Sequence, residues 1–126
     1  MRNIRLFLLT GFALLVLLAP GCGGGGSSGG GQPAGSIKVT MSDFKFSPSS
    51  LSASAGKVTF YLVNAGAASH DMTITAPDGK QFKSELVQPG SAAIFTVDTL
   101  AAGSYKVFCS QPGHADSGMT ATLQVS

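Results

Sequence analysis

Charge is scarce in this chain. Asp, Glu, Lys and Arg make up 11% of its 126 residues. No basic stripe runs through the sequence, which argues against nucleic acid as a partner. No acidic patch is present to steer a basic partner either. Helical periodicity is also missing: from Ser36 onward no segment carries apolar residues at helical spacing, which excludes a helical domain. No internal repeat is visible, and the length leaves room for one domain. Histidine and cysteine are limited to two of each. Any chemistry that needs many imidazoles or thiols is therefore excluded by count.

What charge there is clusters partly at the start. Arg2 and Arg5 precede an apolar run from Leu6 to Ala19, broken only by Thr10 and Gly11. A positive start, a short apolar stretch and small residues at its end predict a secretory signal over residues 1–21. The run is short for a membrane span, which needs roughly 20 residues. Cys22 follows Ala19-Pro20-Gly21, and Gly before Cys at this place resembles the lipobox of bacterial lipoproteins. That resemblance implies cleavage before Cys22 and lipid on its sulfur. Residues 23–35 are mostly Gly and Ser, a composition that cannot bury apolar surface. These 13 residues form a tether with an r.m.s. reach of roughly 20 Å. Loss of residues 1–21 lowers the basic count from 8 to 6, equal to the 6 acidic residues. The folded part, expected over residues 36–126, then has a net charge near zero. The expected location is the outer face of a bacterial plasma membrane, on the periplasmic or extracellular side.

Beyond Ser36 the pattern is strand after strand. Residues 37–41 alternate apolar and polar. Residues 57–63 place Val58, Phe60 and Leu62 on one face, and residues 71–75 alternate again. Asp78-Gly79 supplies the positive-φ chemistry of a hairpin. Residues 92–97, 104–109 and 120–125 complete the set. In the last, Met119, Ala121, Leu123 and Val125 share a face. Short strands with Gly and Pro turns predict an all-β Greek-key sandwich or barrel of about seven to eight strands.

One segment stands apart: Cys109-Ser110-Gln111-Pro112-Gly113-His114-Ala115-Asp116-Ser117-Gly118-Met119. It sets a thiol, an imidazole and a thioether at even spacing in a loop between two strands. His70 heads another strand and can reach the same end of a sandwich. One Cys, two His and a weakly bound Met suit copper in both of its oxidation states, since soft sulfur favours Cu(I) and imidazole suits Cu(II). If Cys22 carries lipid, Cys109 has no disulfide partner. Metal ligation gives an exported lone thiol a role. Met41 and Met72 lie within strand patterns and read as core.

The region from Ile37 to Val125 resembles the cupredoxins, the plastocyanin, azurin and auracyanin type of small blue copper protein. The resemblance rests on four stretches. They are Asp43-Phe44-Lys45-Phe46-Ser47-Pro48, Ala55-Gly56-Lys57-Val58-Thr59-Phe60, Asn64-Ala65-Gly66 leading to Ser69-His70-Asp71, and Gly103-Ser104-Tyr105-Lys106-Val107-Phe108-Cys109 with its following loop. It implies one copper ion held by His70, Cys109 and His114 in a trigonal plane, with Met119 as the long axial contact. Asp71 stands where many members carry Asn, and is expected to tie the two ligand loops together with Ser110 as its backbone partner. His114 would be the surface-reaching ligand. Ala67, Ala68, Pro112 and Gly113 would surround it as a docking patch. Phe108 is either a second electron exit or partly covered apolar surface.

The implied activity is one-electron transfer by a monomer, not an enzyme. Its partners would be cytochromes, copper oxidases or reductases, or photosynthetic complexes. The alternative is an extracytoplasmic copper chaperone or storage protein. That class tends to use several exposed, exchangeable Met or His ligands. Multicopper catalysis is excluded because no His is spare, and a binuclear centre because it needs a second nearby Cys. A Cys-His nucleophile would need a third group to aim its base, and the sequence offers none.

Overall fold

The structure, a computed structural model, describes residues 30–126. The expected signal, Cys22 and the first part of the tether lie outside the described residues. Among the described residues the chain forms nine strands and no helix. In chain order they are β1 (Ile37–Ser42), β2 (Lys45–Ser47), β3 (Ser50–Ala53), β4 (Gly56–Asn64), β5 (Thr73–Thr75), β6 (Gln81–Lys83), β7 (Ala92–Leu100), β8 (Gly103–Phe108) and β9 (Thr120–Val125). One sheet has the order β2-β1-β4-β7 and the other β3-β9-β8-β5-β6. The all-β sandwich expected from the sequence is borne out.

Alternation explains which faces meet. In β4, Val58, Phe60 and Leu62 are buried, while Thr59, Tyr61 and Val63 between them are half-buried. In β9, Ala121, Leu123 and Val125 point inward and Thr120, Thr122 and Gln124 outward. Phe60 lies directly opposite Phe95 on β7. Their rings stack at 5.9 Å between centroids, a cross-strand aromatic pair that adds about 0.5–1.5 kcal/mol beyond its burial. Val39, Met41, Leu62, Met72, Ile74 and Leu123 are fully buried between the sheets.

Two pairings are parallel. β1 runs alongside β4, from Ile37 opposite Phe60 to Met41 opposite Asn64. β3 runs alongside β9. The end of β1 and the end of β4 lie side by side, so the turn after Ser42 and the loop after Asn64 emerge together.

Three details differ from the sequence expectation. There are nine strands rather than seven to eight, because the short β2, β3 and β6 show little periodicity of their own. The strand expected to begin at Asp71 begins at Thr73, because the Asp71 and Met72 groups bond elsewhere: Met72 N–H donates to Ser84 Oγ at 2.9 Å. Cys109 lies just beyond β8 rather than within it. The hairpin at Asp78-Gly79 forms as expected, with Gly79 at φ 88° joining β5 to β6.

Candidate metal centre

The loop after β4 carries His70. Asn64, the last residue of β4, is buried and makes three side-chain hydrogen bonds. Its Nδ2 donates to the carbonyls of Ala68 and Val87, both at 2.8 Å. Its Oδ1 accepts from Gly66 N–H at 2.9 Å. His70 then exchanges two backbone hydrogen bonds with Val87, at 3.1 and 2.8 Å. The loop is thus closed at both ends, and the His70 side chain is fully buried.

The loop after β8 carries the other candidates. Cys109 N–H donates to the Met119 carbonyl at 3.2 Å, and Met119 N–H to the His114 carbonyl at 3.0 Å. These bonds close the base of the loop and draw Cys109, His114 and Met119 together. Gly113 and Gly118 turn the chain with φ of 77° and 102°, a region other residues enter with strain. Cys109 and Met119 are buried, and His114 is half-buried at the surface.

Three ligand atoms converge. His70 Nδ1 and His114 Nδ1 are 3.1 Å apart. Cys109 Sγ is 3.5 Å from His114 Nδ1 and 4.0 Å from His70 Nδ1. Two imidazole nitrogens and a thiol this close together could hold one ion, and soft sulfur with imidazole is a donor set that suits copper in both of its oxidation states. Met119, fully buried and bonded through its backbone to both Cys109 and His114, lies beside them. The residues fit copper.

Asp71 joins the two loops. Its Oδ1 accepts from Ser110 N–H at 2.9 Å. Its Oδ2 accepts from the Ser110 hydroxyl and the Gln111 amide, each at 2.8 Å. Lys83 Nζ lies 3.8 Å away. Burial opposes ionisation of Asp71, but the Gln111 amide, the two Ser110 donors and Lys83 outweigh it and hold the carboxyl below its ordinary value. Burial pushes the Cys109 thiol up, and the Asp71 charge adds to this; N–H groups of Asp71 and Gln111 pull the other way without reversing it. That thiol is protonated at neutral pH unless a metal displaces its proton.

Sequence reasoning overlooked two residues in the turn between β1 and β2. Asp43 Oδ1 accepts from His70 Nε2 at 3.0 Å, and Phe44 packs edge-on against the His114 ring at 4.9 Å between centroids. The available signal was topological. Parallel pairing of β1 with β4 places that turn beside the His70 loop.

Of the residues expected to surround His114, Ala67, Pro112 and Gly113 are exposed and Ala68 is half-buried. Phe44, whose ring meets that of His114, is 42% exposed. Phe108 is half-buried, paired with Thr73 and Thr120.

Comparison with known proteins agrees with this arrangement. No curated protein matches the chain in sequence. Among solved structures, dithionite-reduced auracyanin from the photosynthetic bacterium Roseiflexus castenholzii is similar, with a TM-score of 0.66 and 16% identity over 75% of this chain and 99% of that one. Auracyanin B gives 0.67 and 22% identity, covering 76% of this chain and 91% of its own. A purple cupredoxin from Nitrosopumilus maritimus gives 0.54 and 21%, over 71% and 99%. At these identities the likeness establishes the fold. The family profile described as a cupredoxin-like domain matches residues 10–121. The chain therefore belongs to the cupredoxin-like family, and His70, Cys109, His114 and Met119 are arranged in it as a copper site.

Proposed function

We propose that this protein is a one-electron carrier whose copper is held by His70, Cys109, His114 and Met119. The observation that carries the reading is the triangle of two imidazole nitrogens and one thiol, with edges of 3.1, 3.5 and 4.0 Å. Bound copper supplies a reversible one-electron change. The chain supplies the rest. Its ligands come from loops closed by backbone hydrogen bonds, so they move little between the two oxidation states. Burial of His70, Cys109 and Met119 favours a retained ion over one handed on, which speaks against the chaperone reading.

His114 is the route for the electron, because it is the half-exposed member of the set. The small residues Ala67, Ala68, Pro112 and Gly113 let a partner approach its ring edge closely. Near-zero charge in the folded part makes docking weak and quickly reversed. Lipid on Cys22 and the Gly/Ser tether would hold the domain near membrane partners and raise their effective concentration. Those partners belong to the cytochrome, copper oxidase, reductase or photosynthetic-complex classes.

Addition of Cu(II) to the purified protein tests the copper site. An intense thiolate charge-transfer colour is expected, and Cys109→Ser should abolish it. A stable, colourless one-to-one Cu(II) complex of the unsubstituted protein would refute the reading. Ala67→Glu should slow electron exchange with the physiological partner while leaving the colour intact. Cys22→Ser should release the protein from membranes; continued membrane association would favour an uncleaved N-terminal anchor.

A further inference from the structure

The turn between β1 and β2 touches both histidines of the site, and neither contact follows from the ligand set. We propose that Asp43 and Phe44 are positioning residues: Asp43 fixes the tautomer of His70, and Phe44 fixes the ring of His114. The proposal rests on the copper reading only for its effect on metal affinity.

An imidazole offers a metal one lone pair, and which nitrogen carries it depends on the proton on the other. His70 points Nδ1 at Cys109 and His114, and points Nε2 at Asp43 Oδ1, 3.0 Å away. A carboxylate only accepts, so Nε2 carries a proton, and in the neutral ring the lone pair is then on Nδ1. An anionic acceptor also makes the ring a stronger donor toward a metal than a neutral acceptor would.

Asp43 is itself held. Its Oδ2 accepts from Ala67 N–H at 2.9 Å and its Oδ1 from Ala68 N–H at 3.1 Å. These two bonds and the His70 contact give the carboxylate a fixed position. Gly66 completes the cradle. A Cβ there would lie 2.5 Å from Asp43 Oδ1 and 2.9 Å from His70 Nε2, so the chain can pass this pair only as glycine.

Phe44 gives an independent sign that the turn is constrained. Its φ is 63°, a left-handed conformation uncommon for a bulky aromatic residue. Such a backbone persists where its surroundings over-determine it. The conformation leaves the ring half in solvent and edge-on to His114, with 80° between the planes. The two rings form an aromatic contact of favourable geometry. One strained dipeptide thus sets both imidazoles.

The test uses the full-length, isotope-labelled protein without copper. Long-range proton–nitrogen correlation of the histidine rings should show His70 as a single tautomer protonated on Nε2. Asp43→Ala should lose that single-tautomer signature. Asp43→Asn, which retains an acceptor and guards against failure to fold, should preserve it. Phe44→Ala should increase the motion of the His114 ring and leave His70 unchanged. A His70 proton on Nδ1 in the unsubstituted protein, or an unaltered tautomer in Asp43→Ala, would overturn the Asp43 role. An equally ordered His114 ring in Phe44→Ala would overturn the other. In the copper-loaded state Asp43→Ala should lower copper affinity about 10–100-fold; an unchanged affinity would refute the effect on the metal. If the unsubstituted protein fails to form the coloured complex, the copper reading falls, and the tautomer result still decides whether Asp43 orients His70.

Discussion

Replacing Asn64 by Ala should destabilise the whole domain and loosen one half of the site. Asn64 is 1% exposed and joins Gly66, Ala68 and Val87 through three hydrogen bonds of 2.8–2.9 Å. Each such bond contributes about 0.5–1.5 kcal/mol net. The Val87 carbonyl keeps a second donor, His70 N–H, so its loss is the mildest. The partly buried Ala68 carbonyl and Gly66 N–H lose a partner each. The expected change is about 2–3 kcal/mol. For a folded unit of this size that lowers Tm by about 10–20 °C. Thermal and urea unfolding of the copper-free protein, followed by circular dichroism, measures it. The copper-loaded protein gives a second reading. A bound metal adds stability in proportion to the logarithm of its concentration over Kd, so a looser His70 loop should shrink the gain on adding copper. Asn64→Asp should be at least as harmful at neutral pH, because two carbonyl oxygens would then face a carboxylate. A fall in Tm below about 4 °C, equivalent to under 1 kcal/mol, would show that these bonds do not hold the loop.

The remaining expectations concern the other polar groups of the site. Asp71 has a depressed folded-state pKa; its contribution is present above the unfolded value of about 3.9 and is lost as pH falls through the folded value. The urea midpoint of the copper-free protein should therefore drop on acidification from about pH 4 downward, and Asp71→Asn should flatten that drop while lowering stability at pH 7. An identical acid profile in the variant would exclude Asp71 as its source. The Cys109 thiol lies above its ordinary value of 9.0, so Cu(II) binding at pH 7 should release about one proton from it. Calorimetry in buffers of different ionisation enthalpy detects this, and Cys109→Ser should lose it; no proton release from the unsubstituted protein would contradict a thiolate ligand. Gly66→Ala forces a Cβ to within 3.0 Å of the Asp43 backbone nitrogen, which cannot yield as a flexible side chain would. A loss of about 1–3 kcal/mol is expected, and a neutral result would mean that the His70 loop can shift freely.

How much of this could be read from the chain follows its length scales. The alternation of β4 and β9 is plain because one face of each is buried for the whole strand. β2 and β6 have three residues each, too few to show a period, and they exist because a neighbouring strand pairs with them. Cys109, His114 and Met119 stand out because a single loop brings them together. His70 was legible through scarcity, as the other of the two histidines. The bonds from Asp71 to Ser110 were expected; the added Gln111 and Lys83 contacts were not, since neither residue type marks a site by itself. Asp43 was invisible as a partner of His70. The two are 27 residues apart, and only the parallel β1–β4 register sets them face to face. Phe44 was invisible for another reason: its contact with His114 depends on a positive φ that its residue type disfavours.

The same register explains why the site is built where it is. A parallel pair ends both its strands at the same end of the sandwich, so the turn after β1 and the loop after β4 emerge together, and the antiparallel pairing of Thr73 with Phe108 brings the start of β5 beside the loop after β8. Each loop supplies what another lacks. The β4 loop gives an imidazole whose outer nitrogen needs an acceptor, and the β1 turn gives a carboxylate. Asp71, at the head of β5, needs donors, and Ser110 and Gln111 of the β8 loop give them. Among the described residues no buried side-chain nitrogen or oxygen is left without a partner. Groups satisfied in this way gain nothing by moving when a charge is added or removed nearby. The polar frame around the ligands is therefore fixed by folding, and a one-electron change at the centre has little of it to rearrange.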